Sequence, residues 1–167
     1  MGLVRIIDKI SEWTGAIAAW LVIPLMLVVM HEVWARHVMN NPTGWGYDTC
    51  WMIFAAQFLI GGAYTLYRNG HIRIDIFYHT LSERGKLIYD TIISLVIILP
   101  PMILFTYGGV IYAAEAWISG ENLSTTNWMF PAGPSKSLIP IGFFLLGLQC
   151  VADIIRNIHT LKKGNQQ

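Results

Sequence analysis

Charged and apolar positions along this chain separate into blocks rather than mixing. Trp13–Met30, Thr49–Tyr67, Thr91–Ala114 and Ser137–Ala152 hold no charged residue and run for 18, 19, 24 and 16 residues. A helix rises 1.5 Å per residue, so about 20 apolar residues cross the ~30 Å hydrocarbon core of a bilayer. The fourth block is carried past Asp153 by Ile154, Ile155 and Ile158. Within the blocks apolar residues do not alternate with polar ones, as a barrel strand requires. The pattern predicts an all-α membrane protein, a single membrane domain over 1–167 with four transmembrane helices at approximately 13–34, 49–67, 88–114 and 137–158. The first block is followed by His31-Glu32-Val33-Trp34 and not by a small-x-small cleavage site, so it reads as an uncleaved span.

The connections add detail. Asp75 is placed to cap a short helix from Ile76 carrying Phe77 and Leu81 on one side, which predicts a short interfacial helix between spans 2 and 3. Ser82 is placed to cap the third span, with Glu83 in its first turn. The stretch from Glu115 to Lys136 is polar and punctuated by Gly120, Pro131, Gly133 and Pro134, an outward-facing loop. Pro140 is expected in the first turn of the fourth span, where a missing N–H costs little. Pro100-Pro101 interrupts the middle of the longest span and Pro24 the first. Each removes a backbone donor and bends its helix. They read as static kinks that shape a scaffold, with hinges as the alternative.

Charge sets the orientation. Arg5, Lys9, Arg68, Arg73, Arg84, Lys86, Arg156, Lys162 and Lys163 fall on one side of the spans, and only Arg36 and Lys136 on the other. The positive-inside rule puts both termini and the middle loop in the cytoplasm. Trp34, Trp45, Trp51, Trp117 and Trp128 gather at the outer ends, which suits an aromatic belt or a docking surface. Composition agrees: 54% of residues are hydrophobic and 13% charged, with a mean hydropathy of +0.50, against about 25% charged in a soluble domain. A net charge of +1 excludes a basic nucleic-acid binder and an acidic disordered chain.

Little catalytic chemistry is present. Cys50 and Cys150 are expected ~20 Å apart in depth, too far for a disulfide, and two cysteines make no zinc site. His31 and His37 lie at the outer side and His71, His79 and His159 at the inner side, so no two helices offer a matched pair for a haem. Ion-coupled carriers place ionisable groups near the midplane. Here Glu32, Asp48 and Glu115 fall at outer ends and Asp90 and Asp153 at inner ends. Gln57 is the main strongly polar side chain inside a span. It serves either a helix–helix hydrogen bond within this chain or a contact with another subunit. The spacings Gly15/Ala19 and Gly109/Ala113 allow close helix approach, inside the bundle or onto a partner.

The middle of the chain reads Gly70-His71-Ile72-Arg73-Ile74-Asp75. This resembles the Gly-His-(Val/Ile)-Arg-(Val/Ile)-Asp signature of the small, DctQ-type membrane subunit of tripartite ATP-independent periplasmic (TRAP) transporters. Arg36-His37-Val38-Met39-Asn40 is similar to the family's Arg-Tyr-Val-Phe-Asn, with His37 in place of Tyr. Asp48 of Trp45-Gly46-Tyr47-Asp48 stands where the family has Glu, and Ile139-Pro140-Ile141-Gly142 matches the opening of its last span. The likeness runs from about Ile10 to Arg156.

The resemblance implies a small scaffold subunit of a secondary transporter in the bacterial inner membrane. Such a subunit has no substrate site. It braces the large membrane subunit, which carries substrate and sodium, and helps dock a periplasmic substrate-binding protein for uptake of an organic acid. Its partners are those two proteins and membrane lipids, with no nucleic acid. It is not an enzyme, and no cofactor is expected on this chain. Two other classes stay open on the residues alone: a membrane anchor of a respiratory complex and an autonomous four-helix carrier. For His71, Arg73 and Asp75 two readings stand. One is a membrane-surface turn with Arg73 at lipid phosphates and Asp75 as a cap; the other is a charged tie to the large subunit, shared with Gln57. Trp45, Asp48, Glu115 and Trp128 are the docking candidates at the outer side, against belt aromatics and solvated helix-end charges.

The orientation is testable. Reporter fusions after Gln167 are expected to be active only in the cytoplasm, and fusions within residues 121–136 only outside it. A cytoplasmic signal from the third loop would reverse the assignment.

Overall fold

The computed structural model describes residues 2–68 and 82–163. The expected interfacial helix, with His71, Arg73 and Asp75, lies outside the described residues. Among the described residues there are six α-helices: α1 (Gly2–Trp20), α2 (Val22–His37), α3 (Gly46–Tyr67), α4 (Glu83–Ile93), α5 (Leu99–Ser119) and α6 (Ala132–Lys163). A π-helical turn, Ser94–Ile98, joins α4 to α5. Among the described residues four helical stretches are long and apolar enough to cross a membrane: Gly2–His37, Gly46–Tyr67, Arg84–Ser119 and Ala132–Lys162. They contain the four expected spans, and three of them extend well past the charge-free blocks.

Local chemistry accounts for the ends and breaks. Pro24 has no N–H to give the Trp20 carbonyl, and the helix is interrupted at Leu21 between α1 and α2. Backbone bonds from Leu21 N to Ile17 O (3.0 Å) and Leu25 N to Leu21 O (3.2 Å) carry the axis through. At the end of α2, Asn40 adopts the left-handed conformation (φ 54°) and Pro42 follows. Ser82 caps α4 as expected, accepting from Gly85 N at 3.2 Å. Gly120 ends α5 in the left-handed conformation (φ 63°).

The prolines behave differently from expectation at two places. Pro140 is not in a first turn: α6 begins at Ala132, with Pro134 near its start, so Pro140 lies inside the helix. Its ring is accommodated because α5 presents Gly109 there; a Cβ on Gly109 would come within 3.1 Å of Pro140 Cδ and N. Pro100-Pro101 opens α5 after the π-helical turn, in which Leu99 N–H reaches back to Ser94 O. The Cys150 thiol donates to that same carbonyl at 3.5 Å, shielding it from hydrocarbon as irregular membrane backbone requires.

The spans stand in a row. α3 packs between α1–α2 and α6, and α5 packs against α6 with no extended contact to the first two spans. The order across the row is first, second, fourth, third. α1 reaches α6 as well, where Val4 and Ile7 bury against Ala152 and Leu148. The other buried apolar side chains are mostly alanines: Ala18, Ala35, Ala63, Ala113, Ala116 and Ala132. Lipid tails are as apolar as leucine, so helices gain nothing from burying leucine and gain by close backbone approach. Gly15 lies under the Tyr64 ring and Gly142 under the Leu59 backbone, where a Cβ would meet Leu59 O at 3.0 Å. Gly15, Gly109 and Ala113 are buried within this chain, whereas Ala19 is exposed.

Gly142→Val is expected to separate α3 from α6 and lower stability by roughly 1–3 kcal/mol. At Gly108 an added Cβ meets nothing within 4 Å, so Gly108→Ala should be neutral or slightly stabilising. Unfolding of the purified protein by denaturing detergent measures both.

Candidate functional site

The densest polar chemistry lies where α1, α3 and α6 meet at the positively charged end of the row. Gln149 is fully buried and Ser11 is 2% exposed. Ser11 Oγ donates to Gln149 Oε1 at 2.7 Å, and Gln149 Nε2 donates to Asp8 Oδ1 at 3.1 Å and to Asp153 Oδ1 at 3.3 Å. Arg156 closes the network. Its Nη2 reaches both oxygens of Asp8 at 2.7 and 2.8 Å, and its Nη1 reaches Asp153 at 2.8 Å. Tyr67 of α3 donates to Glu12 at 3.1 Å, and the Arg68 guanidinium lies 5.9 Å from the Tyr64 ring centre. Helical spacing makes this possible: Asp8, Ser11 and Glu12 share adjacent turns of α1, as Gln149, Asp153 and Arg156 do on α6. Every atom of the Gln149 amide has a partner, which is the condition for a buried polar network to stabilise rather than penalise.

A second set of ties closes the opposite end. Asp48, in the first turn of α3, is 3% exposed and accepts from the Thr126 hydroxyl. Thr126 Oγ1 also accepts from Trp128 N at 3.3 Å, and the Trp128 and Phe130 rings stack at 4.7 Å. Leu123 N donates to Phe130 O at 2.7 Å and Ala132 N to Glu121 O at 2.8 Å, so the third loop folds back on itself as a closed flap over α3. Lys136 pairs with Glu121 and lies 4.0 Å from the Tyr112 ring centre. On the neighbouring corner Glu32 accepts from Thr43 and pairs with Arg36 at 2.8 Å, and His31 stacks on Trp45 at 5.3 Å.

The sequence-named residues are therefore distributed as follows. Asp48 and Trp128 come together through Thr126. Trp45 belongs to the His31 corner, and Glu115 is exposed on α5. Gln57 lines a groove of about 700 Å³ with Gly61, Tyr64, Phe143 and Leu146, and its Oε1 is buried without a hydrogen-bond partner among the described residues. His71, Arg73 and Asp75 lie outside the described residues. Sequence reasoning missed the Asp8–Arg156 clamp. Gln149, a strongly polar side chain inside the fourth charge-free block, was the available signal. Among the described residues no three His, Cys, Asp or Glu side chains stand where they could hold a metal ion.

Arg156→Gln is expected to leave Asp8 and Asp153 without their cation. A wholly buried broken pair costs about 3–5 kcal/mol. Arg156 is 37% exposed, so the expected loss is smaller, roughly 1–2 kcal/mol. Asp8→Asn added to Arg156→Gln should cost less than the sum of the single changes, read by a double-mutant cycle on detergent unfolding.

Comparison with known proteins places this geometry. A family model described as the DctQ component of tripartite ATP-independent periplasmic transporters matches residues 25–160. The sialic acid TRAP transporter small permease protein SiaQ of Vibrio cholerae serotype O1 is 28% identical over 107 residues, covering 64% of this chain and 57% of that protein. The alignment thus spans just over half the length of that relative. The chain belongs to the DctQ family: it is a membrane-embedded subunit of a TRAP transporter, not an enzyme.

Proposed function

We propose that this DctQ-family subunit is the fixed scaffold of a TRAP-type secondary transporter of the bacterial inner membrane. It braces the large membrane subunit, which carries substrate and sodium, and its outer flap helps dock a periplasmic binding protein that delivers an organic acid. The observation that carries the reading is the row of spans tied at both ends. The Asp8–Arg156–Asp153 network holds the positively charged end, and the Asp48–Thr126 contact holds the other. Between these ends the charge-free blocks hold no Asp, Glu, His, Lys or Arg to bind or couple an ion. A row, unlike a closed bundle, presents two broad apolar faces, and a larger membrane protein has room to cover one of them.

The orientation follows the positive-inside rule, with both termini in the cytoplasm and the flap outside. The two kinds of outer residue then have separate jobs. Trp128 and Glu115 are accessible to a docking protein. Asp48 is buried and acts through the flap that it holds. Gln57, with an unpartnered amide oxygen in a groove, and the His71-Ile72-Arg73-Ile74-Asp75 stretch are the candidate ties to the large subunit.

The test is transport by the reconstituted complex as binding protein is titrated. Trp128→Ala with Glu115→Lys should raise the half-saturating binding-protein concentration about tenfold, with full rate recovered at high concentration. Thr126→Val should instead lower the yield of membrane complex. Unchanged half-saturation in the first variant would place docking on the large subunit.

A further inference from the structure

Beyond its packed face, α1 carries a second apolar stripe. Leu3, Ile6, Ile10, Trp13, Ile17 and Trp20 follow at intervals of 3, 4, 3, 4 and 3, and all are exposed, from 39% at Ile10 to 71% at Trp20. The packed face is a separate set of positions, Val4, Ile7, Ser11, Gly15 and Ala18. Lipid covers the stripe within the charge-free block, which begins at Trp13. It does not cover the first half. Leu3 is ten residues before Trp13, ~15 Å along the axis. The headgroup layer on one side is only ~5–7 Å deep, and a tilt of up to ~40° leaves Leu3 beyond it.

The first half cannot lie down on the membrane surface either. It is one helix with the span, and Asp8 to Arg156 (2.7 Å) and Ser11 to Gln149 (2.7 Å) hold it upright against α6. Leu3 and Ile6, ~10 Å or more before Trp13 along the axis, are thus held bare in an aqueous setting, and Ile10, three residues before it, lies at headgroup depth. Their 3-4 spacing is the pattern of knobs that fit a neighbouring α-helix crossing at about 20°. The charges beside them narrow the partner. Asp8 is turned to Arg156, while Arg5 and Lys9 are exposed along the flank, with the exposed Glu12, bonded to Tyr67, at its membrane end.

We propose that residues 3–13 seat a helix of the large membrane subunit, one that continues out of the bilayer on the cytoplasmic side and carries carboxylates opposite Arg5 and Lys9. This rests on the scaffold reading above. The occupant is a helix and not a loop, because the stripe keeps its spacing for more than two turns. Its register continues through Ile17 and Trp20, so the contact extends into the membrane.

The experiment uses the co-expressed complex with a photo-reactive phenylalanine analogue at Ile6 or Ile10. Irradiation should join this chain to the large subunit, giving an adduct of the summed mass. An adduct of two copies of this chain, an adduct with lipid alone, or no adduct while the subunits still co-purify would overturn the seat and leave the scaffold reading standing. Failure of the unmodified subunits to co-purify would remove both. In parallel, Ile6→Ala with Ile10→Ala should reduce the large subunit recovered with this chain at least tenfold. Its own yield and helical circular dichroism should not change, because both side chains are exposed. Undiminished recovery would overturn the seat.

Discussion

Helices in a bilayer gain no hydrophobic energy from each other, and the arrangement of this protein depends on what replaces that energy. The replacement at the end where the chain termini lie is a single buried amide. Gln149 receives the Ser11 hydroxyl and donates to two carboxylates, and those carboxylates share Arg156. Without the arginine, two acids would face each other beside a hydrocarbon-filled interface. Without the amide, the arginine would hold only the outer rim of the contact. The network sits at the end of the row because charge there keeps some access to water, so its desolvation cost stays small while its geometry still fixes one register of α1 on α6.

Between the tied ends, close approach does the remaining work. Tyr64 over Gly15 and Leu59 over Gly142 bring α3 against both neighbours at distances that no side chain larger than hydrogen permits. The same economy explains the irregular third span. Two adjacent prolines follow a π-helical turn, and its Ser94 carbonyl takes both the Leu99 N–H and the Cys150 thiol on the face that meets α6. The kinks are therefore packed from one side, which fits a static shape better than a hinge.

The spans were legible because charge is expelled from hydrocarbon, and a run without charge is visible one residue at a time. Ser82 was legible because capping is local. The helix of Gly2–Trp20 was only half legible: its first turns carry Arg5, Asp8, Lys9 and Glu12, so a search for apolar blocks began at Trp13. The clamp was not legible, since Asp8 and Arg156 are 148 residues apart and each alone looks like a helix-end charge. Asp48 has the same history. In sequence it is an outer-end acid free to meet another protein, and only the folded flap brings Thr126 onto it. Pro140 misled for a related reason: the start of α6 is set by the flap's closure at Ala132, not by the first apolar residue.

The two sets of ties also constrain how such a subunit acts. A carrier that moves needs elements with two packings of similar energy. Here the alternative is costly at the clamped end, because sliding α1 along α6 by one turn would break the Ser11–Gln149 bond and part Arg156 from Asp8 together. The glycine contacts between them admit no second register either, since the residue one turn beyond Gly142 is the bulky Leu146. A row held in this way keeps a constant shape while a neighbour changes its own. That is the mechanical requirement for a brace, and it follows from hydrogen bonds and missing side chains, not from any chemistry directed at a substrate.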